Sequence, residues 1–370
     1  MNVPFLDLKA QHAPLRADIL AAWGDILDNA GFVGGKYVAS LESGLATASG
    51  TAHACAVSNG TEALALALRA LGVGSGDEVI LPGNTFIATA EAVSLCGATP
   101  VFVDCLAGTW NLDPAAIGPA VTARTKGVIG VHLYGQPFDV DACQTVCDRH
   151  GLWLMEDNAQ GILATYKGKP TGGLARVAAT SFYPGKNLGA CGEGGAVMTS
   201  DTALDAAVRR LREHGQAAKY YHDVVGTNAR LASIQAAALH VKLPHLPSWT
   251  EARRRNARQY LERLSDVPGV RVPEVAAWAD PVWHLFVVHV ANRDAVLASL
   301  QAAGVGAALH YPVPCHLQKA YAHLGHARGR LPHAEYNASH CLSLPMFPEL
   351  TEAQIDYVCQ QLRLAVLGAA

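Results

Sequence analysis

The sequence predicts an α/β protein: a mostly parallel sheet flanked by helices, followed by a smaller C-terminal α+β domain. From about residue 31 to 245, short apolar runs closed by Gly, Pro, Asn or Asp alternate with helix-like stretches. Strands that alternate with helices pack as a parallel sheet with helices on both faces. Pro244 and Pro247 then close a helical stretch and mark a junction near 245. We therefore expect a large domain over residues 1–245 and a small one over 246–370.

The elements are justified in chain order. Residues 1–30 read as a lead-in with a helix near 14–27, broken by Gly31-Phe32-Val33-Gly34-Gly35-Lys36. The turn Ser58-Asn59-Gly60-Thr61 precedes a helix over 62–71, marked by Leu64, Leu68 and Leu71 at i, i+4 and i+7. Gly60 and Thr61 sit at its N-terminus, where backbone N–H groups and the helix dipole attract anions; alone, the turn reads more readily as an ordinary N-cap. Gly72-Val73-Gly74-Ser75-Gly76 follows a helix and precedes a strand, so it is a cap and turn, not a dinucleotide fingerprint. A strand at 78–81 leads into Pro82-Gly83-Asn84-Thr85-Phe86, where the aromatic either joins the core or offers a flat face to a ligand. Runs at 100–104 and 127–132 are further strands; His132 reads as a satisfied histidine with no assigned role. After 152–155 comes Glu156-Asp157-Asn158-Ala159-Gln160. A β-prone run through Phe182 and Tyr183 is broken by Pro184-Gly185, which presents Lys186 on a tight turn. Gly192-Glu193-Gly194-Gly195 introduces a strand at 196–199, with helices following at 204–212 and 232–243.

Arg253, Arg254, Arg255 and Arg258, within a helix over 249–264, read as a solvated face. Beyond it, 284–290 is a strand, 294–303 and 351–364 are helices, and a proline-rigid loop runs through His310-Tyr311-Pro312-Val313-Pro314-Cys315-His316-Leu317-Gln318.

With 50% hydrophobic and 16% charged residues, the chain can bury a sizeable core and is no disordered segment. A net charge of −3 gives no footprint for nucleic acid or an anionic membrane. No secretory leader opens the chain and no run of 18 or so apolar residues spans a bilayer, so the expected location is the cytoplasm. The 9 cysteines lack a C-x-x-C pair. Cys143 and Cys147 share a helix without further ligands, so we expect no metal and buried free thiols.

The chemistry concentrates at Asp157 and Lys186. In open α/β sheets the C-terminal ends of strands face the ligand crevice, which is where Asp157 stands. A Schiff-base lysine opposite a carboxylate is what pyridoxal phosphate needs: the amine condenses with the cofactor aldehyde, and the acid keeps the pyridine nitrogen protonated.

The segments 156–160 and Ser181-Phe182-Tyr183-Pro184-Gly185-Lys186-Asn187-Leu188-Gly189 resemble the nucleotide-sugar aminotransferases of the DegT/DnrJ/StrS family, within the fold-type I (aspartate aminotransferase-like) enzymes. The likeness runs from Val3-Pro4-Phe5-Leu6-Asp7-Leu8 to about Pro348. It implies a seven-stranded sheet and pyridoxal 5'-phosphate, with Gly60, Thr61 and Ser181 on the phosphate, Phe86 stacked on the ring, Asp157 at the ring nitrogen and Gln160 at the ring hydroxyl. By the same resemblance Asn228 reaches the phosphate of a neighbouring subunit in a homodimer. Tyr183, His310, Tyr311 and His316 would meet the sugar, the donor would be L-glutamate, and the acceptor a nucleotide-linked keto sugar in deoxyamino sugar biosynthesis. The wording of 181–189 and 310–318 is closest to enzymes acting at C3 of dTDP-3-keto-6-deoxyhexoses; enzymes acting at C4 differ in that loop. Dehydratase relatives carry histidine at the lysine position, against which Lys186 speaks. A non-catalytic protein on this fold is the remaining alternative. Ala232 departs from the polar residue, often Asp, that many relatives have after the Arg-Leu pair.

Overall fold

The computed structural model describes residues 1–369. Its central sheet has seven strands: β1 (His53–Val57), β2 (Glu78–Pro82), β3 (Thr99–Val103), β4 (Thr125–Val131), β5 (Trp153–Asp157), β6 (Val177–Ser181) and β7 (Gly195–Thr199), in the order β1-β7-β6-β5-β4-β2-β3. All neighbours from β6 to β3 are parallel; β7 alone runs antiparallel to β1 and β6. Sequence periodicity predicts no strand at 53–57. Its Ala-rich composition is a weak strand former, and pairing with β7 overrides that preference.

Register sets the site. Val131 on β4 pairs with Asp157 on β5, which pairs with Ala179 on β6, so the strands end on one rim. Ser181 and Val57 both pair with Gly195 at the start of β7, which brings the reversed strand in at the same rim.

Helices α1 (Leu8–His12), α2 (Arg16–Asp28), α3 (Lys36–Ser49), α4 (Gly60–Ala70), α5 (Ala88–Leu95), α6 (Val140–His150), α7 (Thr202–Arg212) and α8 (Ser233–Lys242) surround the sheet. In α4 the expected apolar stripe becomes a fully buried stretch over 63–68, because the helix packs on β6 and β7 and against α5 and α7. Helix α9 (Leu246–Leu264) starts earlier than expected: Pro247 occupies its first turn, where the missing N–H has no intrahelical partner to lose. Arg253 corrects the solvated-face reading. It is 2% exposed, and its guanidinium donates to the carbonyls of Trp283, His284 and Met346.

The C-terminal unit contains β8 (Val270–Arg271), β9 (Phe286–Val290), α10 (Arg293–Ala302), α11 (Pro332–His340), β10 (Cys341–Leu344) and α12 (Glu352–Ala369), with an antiparallel sheet β8-β9-β10. Its core joins Tyr260, Phe286, Leu300, Leu342, Ile355 and Leu362. Val3 belongs to this core: its N–H donates to Gly304 O at 2.9 Å, and Gly306 N–H donates to Val3 O at 2.8 Å. The first residues thus pack with the C-terminal unit rather than with the large domain in which we grouped them. This route carries Phe5 and Leu6 past the sheet rim.

Among the described residues no helix is long and apolar enough to cross a membrane, and no cluster of His, Cys, Asp and Glu could hold a metal. Cys143 and Cys147 are free and buried, whereas Cys191 is exposed.

Candidate active site

A cavity of ≈ 860 Å³ lies at the rim where β4, β5 and β6 end. It gathers Gly60, Thr61, Phe86, Asp157, Gln160, Ser181, Tyr183, Lys186, His310 and Tyr311 from both units of the chain. Residues separated by some 250 positions thus meet in one space.

Asp157 ends β5 and is 5% exposed. Thr89 Oγ1 donates to its Oδ2 at 2.8 Å and Ala159 N–H to its Oδ1 at 3.1 Å, while Thr85 Oγ1 lies 2.9 Å from Thr89 Oγ1. Burial pushes the Asp157 carboxyl above the usual range, and these donors and the Lys186 charge oppose that shift. Burial also drives the Lys186 amine down to about 8, with Asp157 acting the other way. Acid and amine therefore sense each other's charge inside a common cavity.

The turn before α4 forms a cradle. Asn59 caps the helix, its Oδ1 accepting from Glu62 N–H at 2.9 Å, which leaves the N–H groups of Gly60 and Thr61 at the positive end of the dipole. A Cβ on Gly60 would come within 2.6 Å of Ser181 Cβ, so only glycine lets the helix end sit against the Ser181 hydroxyl. Gly195 is constrained likewise, since a Cβ there would lie 2.4 Å from Asn59 O. Hydroxyls, N–H groups and a helix N-terminus thus face one spot, the donor set that a phosphate needs.

The opposite wall is aromatic. Phe86, 49% exposed and open to the cavity, lies 5.5 Å from the Tyr311 ring, and Phe5 stacks on His310 at 5.5 Å. Gln160 is held at both ends: Tyr134 N–H donates to its Oε1 at 2.6 Å, and its Nε2 donates to Tyr311 Oη at 3.3 Å. The Tyr134 hydroxyl donates to the His310 carbonyl, and His310 Nδ1 lies 2.8 Å from Ser343 Oγ. Burial and the Lys186 charge push the His310 imidazole down to about 4.

Two expected site residues lie elsewhere. His316 is 1% exposed, does not line the cavity, and pairs through Nε2 with Glu335 Oε1 at 3.1 Å. It braces the short turn Cys315–Leu317 within that loop, which corrects its assignment to the sugar. Asn228 lies outside the cavity on an exposed segment bridged to Glu213. Sequence reasoning missed Thr89, Phe5, Leu6, Glu193 and His284, although four of these line the cavity. Thr89 alone had a usable signal, standing one helical turn beyond Phe86 at the start of α5.

A model of the DegT/DnrJ/EryC1/StrS aminotransferase family matches residues 14–363. The chain is 46% identical to the dTDP-3-amino-3,4,6-trideoxy-alpha-D-glucose transaminase of Streptomyces venezuelae, over 98% of this chain and 96% of that protein. It is 45% identical to the UDP-N-acetyl-3-dehydro-alpha-D-glucosamine 3-aminotransferase of Acidithiobacillus ferrooxidans, over 99% and 98%. The crystal structure of S. venezuelae DesV in complex with a ketimine intermediate superposes with a TM-score of 0.96 at 46% identity, covering 98% of each chain.

Proposed function

Because this chain belongs to the DegT/DnrJ/EryC1/StrS aminotransferase family, we propose that it moves an amino group from L-glutamate to C3 of a dTDP-linked 3-keto-6-deoxyhexose. It is a pyridoxal 5'-phosphate-dependent aminotransferase of nucleotide-linked sugars. The observation that carries the finer assignment of roles is that Lys186, Asp157 and the Gly60-Thr61 cradle open onto one cavity.

These residues fit the cofactor. The Gly60 and Thr61 N–H groups with the Ser181 hydroxyl suit its phosphate, Phe86 offers a face to its ring, and the buried Asp157 carboxylate suits a protonated ring nitrogen. When bound, pyridoxal phosphate supplies an electron sink for charge that builds on the reacting carbon. Lys186, with its amine at about 8, holds a useful fraction of free base near neutral pH. We assign it two tasks: to hold the cofactor covalently between turnovers, and to carry the proton between the reacting carbon and the cofactor. Asp157 would keep the bound ring's nitrogen protonated, and Gln160, fixed at both ends by Tyr134 and Tyr311, would meet its hydroxyl. Tyr183, His310 and Tyr311 form the sugar side of the cavity.

The C3 position and the dTDP group rest on the wording of the 181–189 and 310–318 segments. The 3-amino sugar transaminase named above supports that choice, and the UDP-sugar relative makes the nucleotide the point to test. We also infer a cytoplasmic homodimer in which Asn228 reaches the partner's phosphate site. Tyr220, Tyr221 and Val225, in the stretch that leads into Asn228, are exposed apolar side chains that a second copy would cover.

The test gives purified enzyme, pyridoxal phosphate and L-glutamate a panel of 3-keto and 4-keto sugars on dTDP, UDP and GDP, with products read by mass. Amination of the dTDP 3-keto sugar is expected. Turnover of only 4-keto compounds reverses the C3 assignment, and no amination of any keto sugar ends the reading.

A further inference from the structure

We propose that His284 is a specificity residue whose Nε2 accepts a hydrogen bond from a substrate hydroxyl on the carbon next to the one that receives the amine. This rests on the aminotransferase reading and adds a contact which the family motifs did not supply.

The inference follows from a chain of obligate donors and acceptors. Asn187, the residue after Lys186, is 3% exposed, so its amide must find partners inside the protein. Its Nδ2 donates to the Val282 carbonyl at 3.1 Å. A carbonyl can only accept, which fixes the amide's orientation and turns Oδ1 toward His284 Nδ1 at 3.2 Å. Oδ1 in turn can only accept, so Nδ1 must carry the proton.

Burial and the Lys186 charge hold the His284 imidazole far below its ordinary titration range, so the ring is neutral and Nε2 is a bare acceptor. Among the described residues no group bonds Nε2, and it is not one of the buried orphan atoms. Since His284 lines the cavity with Lys186, Nε2 is the edge that the cavity meets.

The surrounding polar lining offers donors in the Lys186 amine, the Tyr183 and Tyr311 hydroxyls, Thr61 and the α4 N-terminus, beside the carboxylates of Asp157, Glu62 and Glu193. Ligand phosphates and carboxylates satisfy such donors but have no proton for a bare acceptor. A sugar hydroxyl has one. Lys186 must reach the reacting carbon, and His284, which shares its cavity and is braced through its sequence neighbour Asn187, is on that ground assigned to the carbon's flank. His310 differs, because its Nδ1 meets the Ser343 hydroxyl, which can give or take a proton and fixes no tautomer.

The experiment uses two nucleotide-linked keto sugars that differ only in the hydroxyl adjacent to the keto carbon, with the wild type, His284→Leu and His284→Gln. We expect the wild type to prefer the hydroxylated sugar by about ten- to hundredfold in kcat/KM, the cost of leaving one buried acceptor unpaired. His284→Leu should lose that preference through a raised KM on the hydroxylated sugar alone, and His284→Gln, whose amide can donate to Asn187 and still accept, should keep part of it. Calorimetric affinity of the cofactor-free protein for the two sugars should show the same ranking. Equal slowing of both sugars by His284→Leu overturns the proposal. So does a shift in the titration midpoint of Lys186 without any change in preference, which would make the amine the donor. If His284→Leu does not fold, His284→Gln decides: full loss of activity on both sugars counts against the proposal. A wild type that aminates neither sugar defeats the aminotransferase reading itself, whereas a wild type equally active on both defeats only the role of His284.

Discussion

Two lysines in this chain have amines pushed down to about 8 by burial, yet they stand in opposite circumstances. Lys242 is 0% exposed; its Nζ donates to Gly189 O at 2.5 Å and to His12 Nε2 at 3.1 Å. The imidazole is set to receive it, because His12 Nδ1 lies 2.7 Å from Leu8 O and spends its proton there. Lys186 instead lines a cavity and meets the charge of Asp157 across it. A depressed amine is thus no signature of catalysis by itself. What separates the two is unspent hydrogen-bonding capacity in reach of a ligand.

The contrast breaks most directly by exchanging the roles. Lys186→Ala should lower kcat by about 10⁴-fold or more while the melting temperature stays near that of the wild type. Aminotransferase assays beside thermal melts check this, and an equal loss in folded Lys242→Met would sink the distinction. Asp157→Asn should cost about 10²- to 10³-fold in rate. It should also move the Lys186 midpoint downward, since Asp157 is what raises it; borohydride-trappable cofactor binding across a pH series reads that midpoint. Lys242→Met strands the Gly189 carbonyl and the His12 ring, and should cost about 2–4 kcal/mol in guanidinium unfolding with kcat within about tenfold of wild type.

The smallest effect concerns pH. Because the Lys186 amine lies at about 8 rather than 10.5, it sheds its proton as pH rises through about 8, so its reactivity toward carbonyl reagents should climb there. His310 is held at about 4 and burial holds His284 well below its ordinary range, so no inflection from these histidines should appear near 6.5. A step at that pH in the wild type, absent from His310→Gln, would contradict their burial.

The same contrast explains what was legible in the sequence. Strands β2 to β5 and β7 show in local patterns because short apolar runs and turn residues announce a rim at their ends. Strand β1 does not, since Ala and Cys at its centre have no periodic signature. Strand β6 lies at Val177–Ser181, upstream of the run through Phe182 and Tyr183 that reads as strand. Arg253 hides in a run of surface-like charges, and nothing local reveals that carbonyls from 30 to 93 residues away surround it. Phe5 and His284 reach the site only through packing between distant segments, whereas Thr89 stands one helical turn beyond Phe86. Of the three residues that the loop 310–318 suggested, His310 and Tyr311 line the cavity, while His316 pairs with Glu335 on α11 and does not.

The reversed strand β7 has one more result. Phe182 N–H donates to Gly194 O at 2.7 Å and Ala190 N–H to Phe182 O at 2.8 Å, so the segment between β6 and β7 is tied shut at its base. Lys186 therefore rides on a noose with both knots on the sheet rather than on a free-swinging tether. Residues 191–193 can lengthen or change character, and so reshape the doorway, while the amine stays where it is.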